Sequence, residues 1–213
     1  MFETVLAIHI VAGVIALGAA GLAVGSAKGR ALHRRSGQAY GAAMGVVVVS
    51  TLMLVTLRPN AFLLAVGVFS AFLVFTGWRA AVLRDGRPRA LDHAGGAAMA
   101  LTGLAMLGFG AVGLVGQGGA QPVIVLVFGA IGLTLALGDW RDWRAGPITG
   151  PERIARHLSR MLGGTIAAIT AAVTTNIDAL PQLVLWLGPT VVLTPVIFWW
   201  TARVMRPRRD RTG

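Results

Sequence analysis

Long apolar stretches recur along the whole sequence, and they constrain the fold more than any other feature. Each is about 20 residues long, the length that an α-helix needs to cross the hydrocarbon core of a bilayer. The stretches are continuous, whereas a transmembrane β-barrel requires alternating polar and apolar residues. They cover residues 4–27, 39–57, 61–81, 93–115, 122–138, 154–176 and 183–204. We therefore predict an all-α polytopic membrane protein of seven transmembrane helices, with one domain over residues 1–205 and a basic cytoplasmic tail over 206–213.

The composition supports a membrane protein and argues against a nucleic-acid-binding one. Hydrophobic residues make up 55% of the 213 residues and charged residues only 13%, whereas soluble domains carry about 25% charged residues. The net charge of +11 would favour nucleic acid in a soluble protein, but here the arginines cluster in short connections between apolar stretches. We therefore expect the lipid bilayer as partner and no nucleic acid. The absence of cysteine excludes disulfides and thiolate metal sites.

The basic residues also predict the orientation in the membrane. All lysines and arginines except Arg58 lie in or beside the first, third and fifth connections or at the C-terminal end. These segments share one side of the membrane only if the number of spans is seven. Because basic connections stay in the cytoplasm, we predict a multi-pass protein of the bacterial inner membrane with its N-terminus outside. The start of the chain lacks the basic region of a signal peptide, so we interpret it as the first span.

Two glycine ladders predict how the first two spans pack. Gly21, Gly25 and Gly29 form one ladder at the end of the first span at a spacing of four, and Gly37, Gly41 and Gly45 form another at the start of the second. Small residues at this spacing allow helix backbones to approach closely in lipid. We therefore expect the ladders to form a tight contact between spans one and two.

The histidines are the main candidates for chemistry. His33, His93 and His157 each lie near the cytoplasmic start of an even-numbered span, and Tyr40 follows His33 by two turns; His9 lies alone near the outer end of span one. Ionisable residues at membrane depth are costly and mark functional sites. Two neutral imidazoles can ligate the iron of haem b, and three can hold zinc. A third interpretation, histidines that are solvated at the membrane interface, stays open.

Asp92 precedes His93 and has two interpretations. It can orient an imidazole through a hydrogen bond, or it can cap the N-terminus of span four. We expect the cap. No motif of an NTPase, zincin protease or serine hydrolase is present, and whether the chain is an enzyme stays open.

Three stretches resemble a family of bacterial integral membrane proteins. They are H-I-V-A-G-V-I-A-L from His9, K-G-R-A-L-H-R-R-S-G-Q-A-Y-G-A-A-M from Lys28, and H-L-S-R-M-L-G-G-T-I-A-A from His157. The H-R-x-x-G-x-x-Y element, His33 to Tyr40, is the most specific part. The resemblance covers nearly the whole chain and implies its topology, but the family is a predicted membrane domain that brings no settled activity.

The shorter H-R-x-x-G element at His33 is similar to the histidine motif in haem-binding helices of ferric-reductase-like proteins, transmembrane b-type cytochromes and haem A synthase. This resemblance implies that His33 ligates haem, with His93 or His157 as partner by depth alone. Our functional prediction is haem b ligation for membrane electron transfer, with a redox or membrane-protein partner. The alternatives are a non-catalytic membrane component (an accessory subunit or a small transporter) and a three-histidine zinc-dependent membrane hydrolase.

Overall fold

The described part of the chain forms a bundle of seven long helices. The structure, a computed structural model, describes residues 1–116 and 118–206, so most of the predicted tail lies outside the described residues. Every regular element in the described part is an α-helix, which confirms the all-α prediction. The helices are α1 (Phe2–Gly25), α2 (Ala31–Leu57), α3 (Ala61–Val82), α4 (Ala90–Gly116), α5 (Ala120–Ala145), α6 (Gly150–Asn176) and α7 (Gln182–Met205).

Six of the described helices are long and apolar enough to cross a membrane, and α6 is the exception. Helix α6 has 27 residues, as many as α2 and α4, so its length does not set it apart. Its first part carries Glu152, Arg153, Arg156 and Arg160, and its second part carries threonines and a terminal asparagine. These side chains lower the hydropathy of α6. The chain is therefore a multi-pass helical membrane protein with six apolar candidate spans and a seventh, more polar helix.

Two helices extend well beyond the apolar stretches that predicted them. Helix α2 begins at Ala31, eight residues before the predicted boundary at 39, because the basic segment contains no proline and its one glycine, Gly37, does not interrupt the helix. Helix α5 continues seven residues past the predicted end at 138 and stops before Gly146, whose φ of +135° suits glycine. The predictions were wrong here because hydropathy marks the lipid-facing part of a helix and not its end. The H-R-x-x-G-x-x-Y element, His33 to Tyr40, therefore lies entirely within helix α2.

Helices α1 and α2 pack together, but not through the glycine ladders. Ala16, Ala19 and Ala20 of α1 form a buried cluster with Tyr40 and Met44 of α2. At each ladder glycine, a Cβ atom would meet no heavy atom within 4 Å. The predicted contact was therefore wrong, because alanine is small enough for this approach and the ladders face away from it.

Helices α4 and α5 are where glycine is needed for close approach. A Cβ at Gly103 of α4 would lie 3.0 Å from the carbonyl oxygen of Gly129, and a Cβ at Gly129 of α5 would lie 3.0 Å from the carbonyl oxygen of Gly103. This contact adjoins the main core, which is centred on Phe72 of α3, Met99 of α4 and Phe128 of α5. Helix α3 is central, since it packs against α2, α4, α5 and α6.

Three connections, 26–30, 83–89 and 146–149, lie at one end of the bundle, which we call the basic end. The backbone N–H of Ile148 donates to the carbonyl of Gly86 at 3.0 Å and joins two of them. Lys28 lies in the connection 26–30. It donates to the carbonyl of Val24 at 2.6 Å and lies 4.7 Å from the ring centre of Trp200 in α7. Burial lowers the pKa of Lys28.

Candidate functional site

The most deeply buried charged residue in the described part of the chain is Asp139 of α5. It belongs to an ion cluster near the basic end, which also contains Asp142 of α5 and Arg156 and Arg160 of α6. Asp139 Oδ1 accepts hydrogen bonds from Arg160 Nη2 and, at 2.7 Å, from Arg156 Nη1. Arg156 Nη2 also donates to Asp142 Oδ2 at 2.6 Å. The Asp139 side chain is 1% exposed and that of Asp142 42% exposed. The cluster therefore runs from the interior of the bundle to its surface.

Residue spacing explains why these four side chains meet. Asp139 and Asp142 are three residues apart on one helix, and Arg156 and Arg160 are four apart on the other, so each pair occupies one helix face. The backbones of α5 and α6 come no closer than 8 Å between Cα atoms. The gap is bridged by long arginine side chains and not by direct helix packing. Because the two helices stand apart, an open space remains beside these side chains.

Two atoms of the ion cluster are buried without a hydrogen-bond partner, Asp139 Oδ2 and Arg160 Nη1. A guanidinium and a carboxylate can form two parallel hydrogen bonds, but here both arginines bond the same carboxylate oxygen. Arg160 Nη2 also donates to the carbonyl of Leu135 at 3.2 Å. An unpaired polar atom in a protein interior costs about 1–3 kcal/mol. Within the described part of the chain, the cluster thus keeps one buried acceptor and one buried donor unpaired.

A cleft of about 690 Å³ opens beside the ion cluster between α5, α6 and α7. All four residues of the cluster line it, together with Glu152 and with hydroxyl groups that include Ser159. On the other side of the cluster, a cavity of about 50 Å³ lies against α3 and α4, and Asp139 and Arg156 line that cavity as well. These two residues therefore stand between an open cleft and a small internal cavity.

A second buried ion pair supports the far side of the small cavity. Arg79 of α3 donates to both carboxylate oxygens of Asp92 in α4, at 2.7 and 2.6 Å. Asp92 Oδ2 also accepts from the backbone N–H of Arg89 at 2.8 Å. Asp92 therefore satisfies a backbone donor at the start of α4, as predicted, but from the third position of the helix and not as its N-cap residue. Arg153 ties α6 to the last turn of α3 by donating to the carbonyl of Ala80 at 2.6 Å.

Two of the predicted site histidines are anchored through the same ring nitrogen. His33 Nδ1 lies 3.0 Å from the carbonyl oxygen of Ala23, and His157 Nδ1 lies 2.8 Å from that of Gly77. A carbonyl oxygen only accepts, so each Nδ1 carries the proton and a neutral ring keeps its lone pair on Nε2. Metal-ligating histidines in proteins are commonly oriented in this way.

The other predicted site residues are placed differently. His93 packs edge-to-face on Trp143, with 4.8 Å between ring centres, and its helix α4 contacts only α3 and α5 in the described part of the chain. Tyr40 is 3% exposed, and its hydroxyl lies over Gly164 of α6. Among the described residues, no group of three or more histidine, aspartate or glutamate side chains is placed to hold a metal ion. The haem and zinc assignments stay predictions.

His9 forms a separate polar contact between α1 and α2. The hydroxyl of Ser50 donates to the carbonyl of Val46 at 2.7 Å, so its oxygen is free to accept from His9 Nδ1 at 2.9 Å. This accounts for the imidazole within the membrane-spanning region. His9 takes no part in the ion cluster.

The sequence interpretation missed the ion cluster, although two spacings could have revealed it. Arg156 and Arg160 were counted as orientation signals beside a connection, and Asp139 was assigned to the connection itself. Carboxylates at spacing three near one helix end and arginines at spacing four near the next helix start predict facing charged stripes.

No protein-family model, curated protein or solved structure matches this chain. The resemblances to a bacterial membrane-protein family and to haem-binding helices therefore stay predictions. The fold and composition show a polytopic helical membrane protein.

Proposed function

We propose that the protein is a small transporter of the bacterial inner membrane and that the cleft beside the ion cluster is its solute site. In this proposal all seven helices cross the membrane, the N-terminus lies outside and the basic end faces the cytoplasm. The basic connections at one end support this orientation. Helix α6 can cross although it is more polar, because its arginines face carboxylates and carbonyls of the bundle.

The buried ion cluster is the observation that carries the proposal. Charged side chains at membrane depth are expensive, and where they occur they face the bundle interior and mark solute or ion pathways. Here Asp139 and Arg160 each keep a buried atom without a partner in residues that line a cleft of ligand size. A purely structural ion pair would gain stability by pairing those atoms with each other.

The charges of the cleft favour a cationic solute. Three carboxylates line it, those of Asp139, Asp142 and Glu152, against two guanidinium groups, those of Arg156 and Arg160. Both arginines already pair with carboxylates of the cluster. The excess of one negative charge distinguishes the cleft from the basic surface around it.

Cysteine labelling tests the solute site, because the chain has no cysteine of its own. Ser159→Cys places one thiol in the cleft, Ser36→Cys places one at a buried position of α2, and Ala27→Cys places one on the exposed basic end. Each variant is treated in inside-out vesicles with two membrane-impermeant methanethiosulfonates of similar size, one a trimethylammonium and one a sulfonate.

We expect Ser159→Cys to react and Ser36→Cys to stay unmodified. The cationic reagent should react faster than the anionic one at Ser159→Cys, and the preference should be reversed at Ala27→Cys, since only the cleft carries excess negative charge. A thiol in the cleft that is as unreactive as the one at Ser36→Cys would contradict the proposal.

Haem b ligation is the second candidate, and the shared Nδ1 anchoring of His33 and His157 favours it. These two residues would supply Nε2 ligands on opposite faces of a haem, and the group would supply one-electron chemistry. An absorption spectrum of the detergent-purified protein, oxidised and then reduced with dithionite, tests this candidate. A Soret band that is lost in His33→Ala and retained in His93→Ala would support it, and a colourless protein would exclude it.

A further inference from the structure

An apolar groove runs along the outside of the bundle between α1 and α2. It encloses about 530 Å³, and every residue that lines it belongs to these two helices. Ala12 and Ala43, both buried, form its floor, and side chains such as Ile15 and Val46 form its walls. The small residues along α2 make one wall low. The groove is therefore open to the lipid phase along its length.

A single arginine lies in line with the groove at the basic end. Arg35 precedes the wall residues Ala39, Ala42 and Val46 by four, seven and eleven positions, a spacing that keeps one face of an α-helix. It is exposed, and no carboxylate among the described residues pairs with it. Arg34 is also exposed but lies about 100° further round the helix, away from the groove.

We infer that the groove is a binding site for an anionic phospholipid. One acyl chain lies along the alanine and isoleucine walls, and the phosphate of the headgroup pairs with Arg35 at the basic end. An apolar groove that ends in an unpaired cation at the membrane surface matches the two parts of such a lipid. A zwitterionic lipid fits the groove and also carries a phosphate, but its own cationic headgroup compensates that phosphate, so its net attraction to Arg35 is weaker.

A second copy of the chain fits this groove less well. Copies in one membrane share the same orientation, and a two-fold interface brings identical patches together. Two grooves facing each other would bring both copies of Arg35 to the same level, with no described carboxylate to compensate them. The two positive charges would repel each other across such an interface. The charge pattern therefore favours lipid over self-association.

Native mass spectrometry of the full chain in detergent tests the inference. Phosphatidylglycerol and phosphatidylcholine with the same acyl chains are titrated separately. The mass identifies each complex, and the relative intensities of its peaks give the bound fraction. Arg35→Gln removes the cation, and Arg34→Gln is its matched control on the other face. Ala42→Phe fills the groove, and Ala111→Phe makes the same change at an exposed position of α4.

We expect the unmodified protein to bind phosphatidylglycerol more tightly than phosphatidylcholine. Arg35→Gln should weaken phosphatidylglycerol binding roughly five-fold, the usual contribution of one basic residue at a membrane surface, while Arg34→Gln should leave it unchanged. Ala42→Phe should weaken the binding of both lipids and Ala111→Phe neither. Equal effects of the two arginine variants would overturn the inference. A dimer that Ala42→Phe dissociates would also overturn it, because the groove would then belong to a second copy.

Discussion

Removing the central carboxylate of the ion cluster is the sharpest test of its energetic role. Asp139→Asn keeps the shape of the side chain and removes its charge. Arg160, which is buried, would then retain only the carbonyl of Leu135 as a strong acceptor, while Arg156 would retain Asp142. An uncompensated buried charge costs about 3–5 kcal/mol when one partner of an ion pair is removed. We expect Asp139→Asn to lower the free energy of unfolding by that amount.

Asp142→Asn is the matched control, because it makes the same chemical change three residues away. The Asp142 side chain is 42% exposed, and exposed ion pairs contribute about 0–1 kcal/mol. The predicted difference between the two variants therefore follows from burial alone. Adding Arg160→Gln to Asp139→Asn removes the orphaned charge, and the pair should show a coupling of roughly 0.5–3 kcal/mol.

The assay is equilibrium unfolding in mixed detergent micelles with increasing sodium dodecyl sulfate, followed by circular dichroism. Equal losses for Asp139→Asn and Asp142→Asn would refute the reasoning, since burial would then not decide the cost. So would the absence of any recovery when Arg160→Gln is added.

Three further predictions address the topology, the packing and the histidines. Ala27→Cys should react with impermeant thiol reagents only from the cytoplasmic side and Asp178→Cys only from outside; the reverse pattern would invert the orientation. Gly164→Ala should lower the free energy of unfolding by about 1–3 kcal/mol, because its Cβ would lie 2.8 Å from a tyrosine hydroxyl and 2.9 Å from a valine methyl. Gly41→Ala, which meets nothing within 4 Å, should be neutral, and equal losses would contradict the packing. Any haem absorbance should vanish in His33→Ala, as read from a reduced-minus-oxidised spectrum.

Hydropathy predicted the class of the described helices and their number, because a helix that crosses a bilayer needs about 20 apolar residues. It did not predict that α6 would be too polar to count among the apolar candidate spans. It also did not predict helix ends, which depend on local backbone chemistry: α2 begins at Ala31 since no proline in the basic segment stops it. The prediction that the glycine ladders form the contact between α1 and α2 was wrong for a related reason. A spacing of four places Gly37, Gly41 and Gly45 on one face but does not say which neighbour, if any, that face meets.

The candidate site could be predicted only in part. The sequence indicated that ionisable residues gather near the basic end, and the structure places His33 and His157 there with anchored rings. The pairing of Asp139 with Arg160 depends on how far α5 stands from α6, and that distance is set by the packing of both helices on the rest of the bundle. Spacing along each helix indicates the two charged faces, but not that they bridge an open cleft.

The most direct test of the transport proposal is whether the cleft can be reached from both sides of the membrane. Cells that carry Ser159→Cys are treated from outside with the impermeant trimethylammonium reagent, and Ser36→Cys serves as the buried control. A transporter that alternates between inward and outward openings predicts that Ser159→Cys is labelled slowly from outside and that Ser36→Cys is not labelled. Adding Asp139→Asn should change the rate of labelling at Ser159→Cys. Labelling of Ser159→Cys from the cytoplasmic side alone, however long the exposure outside, would contradict the account.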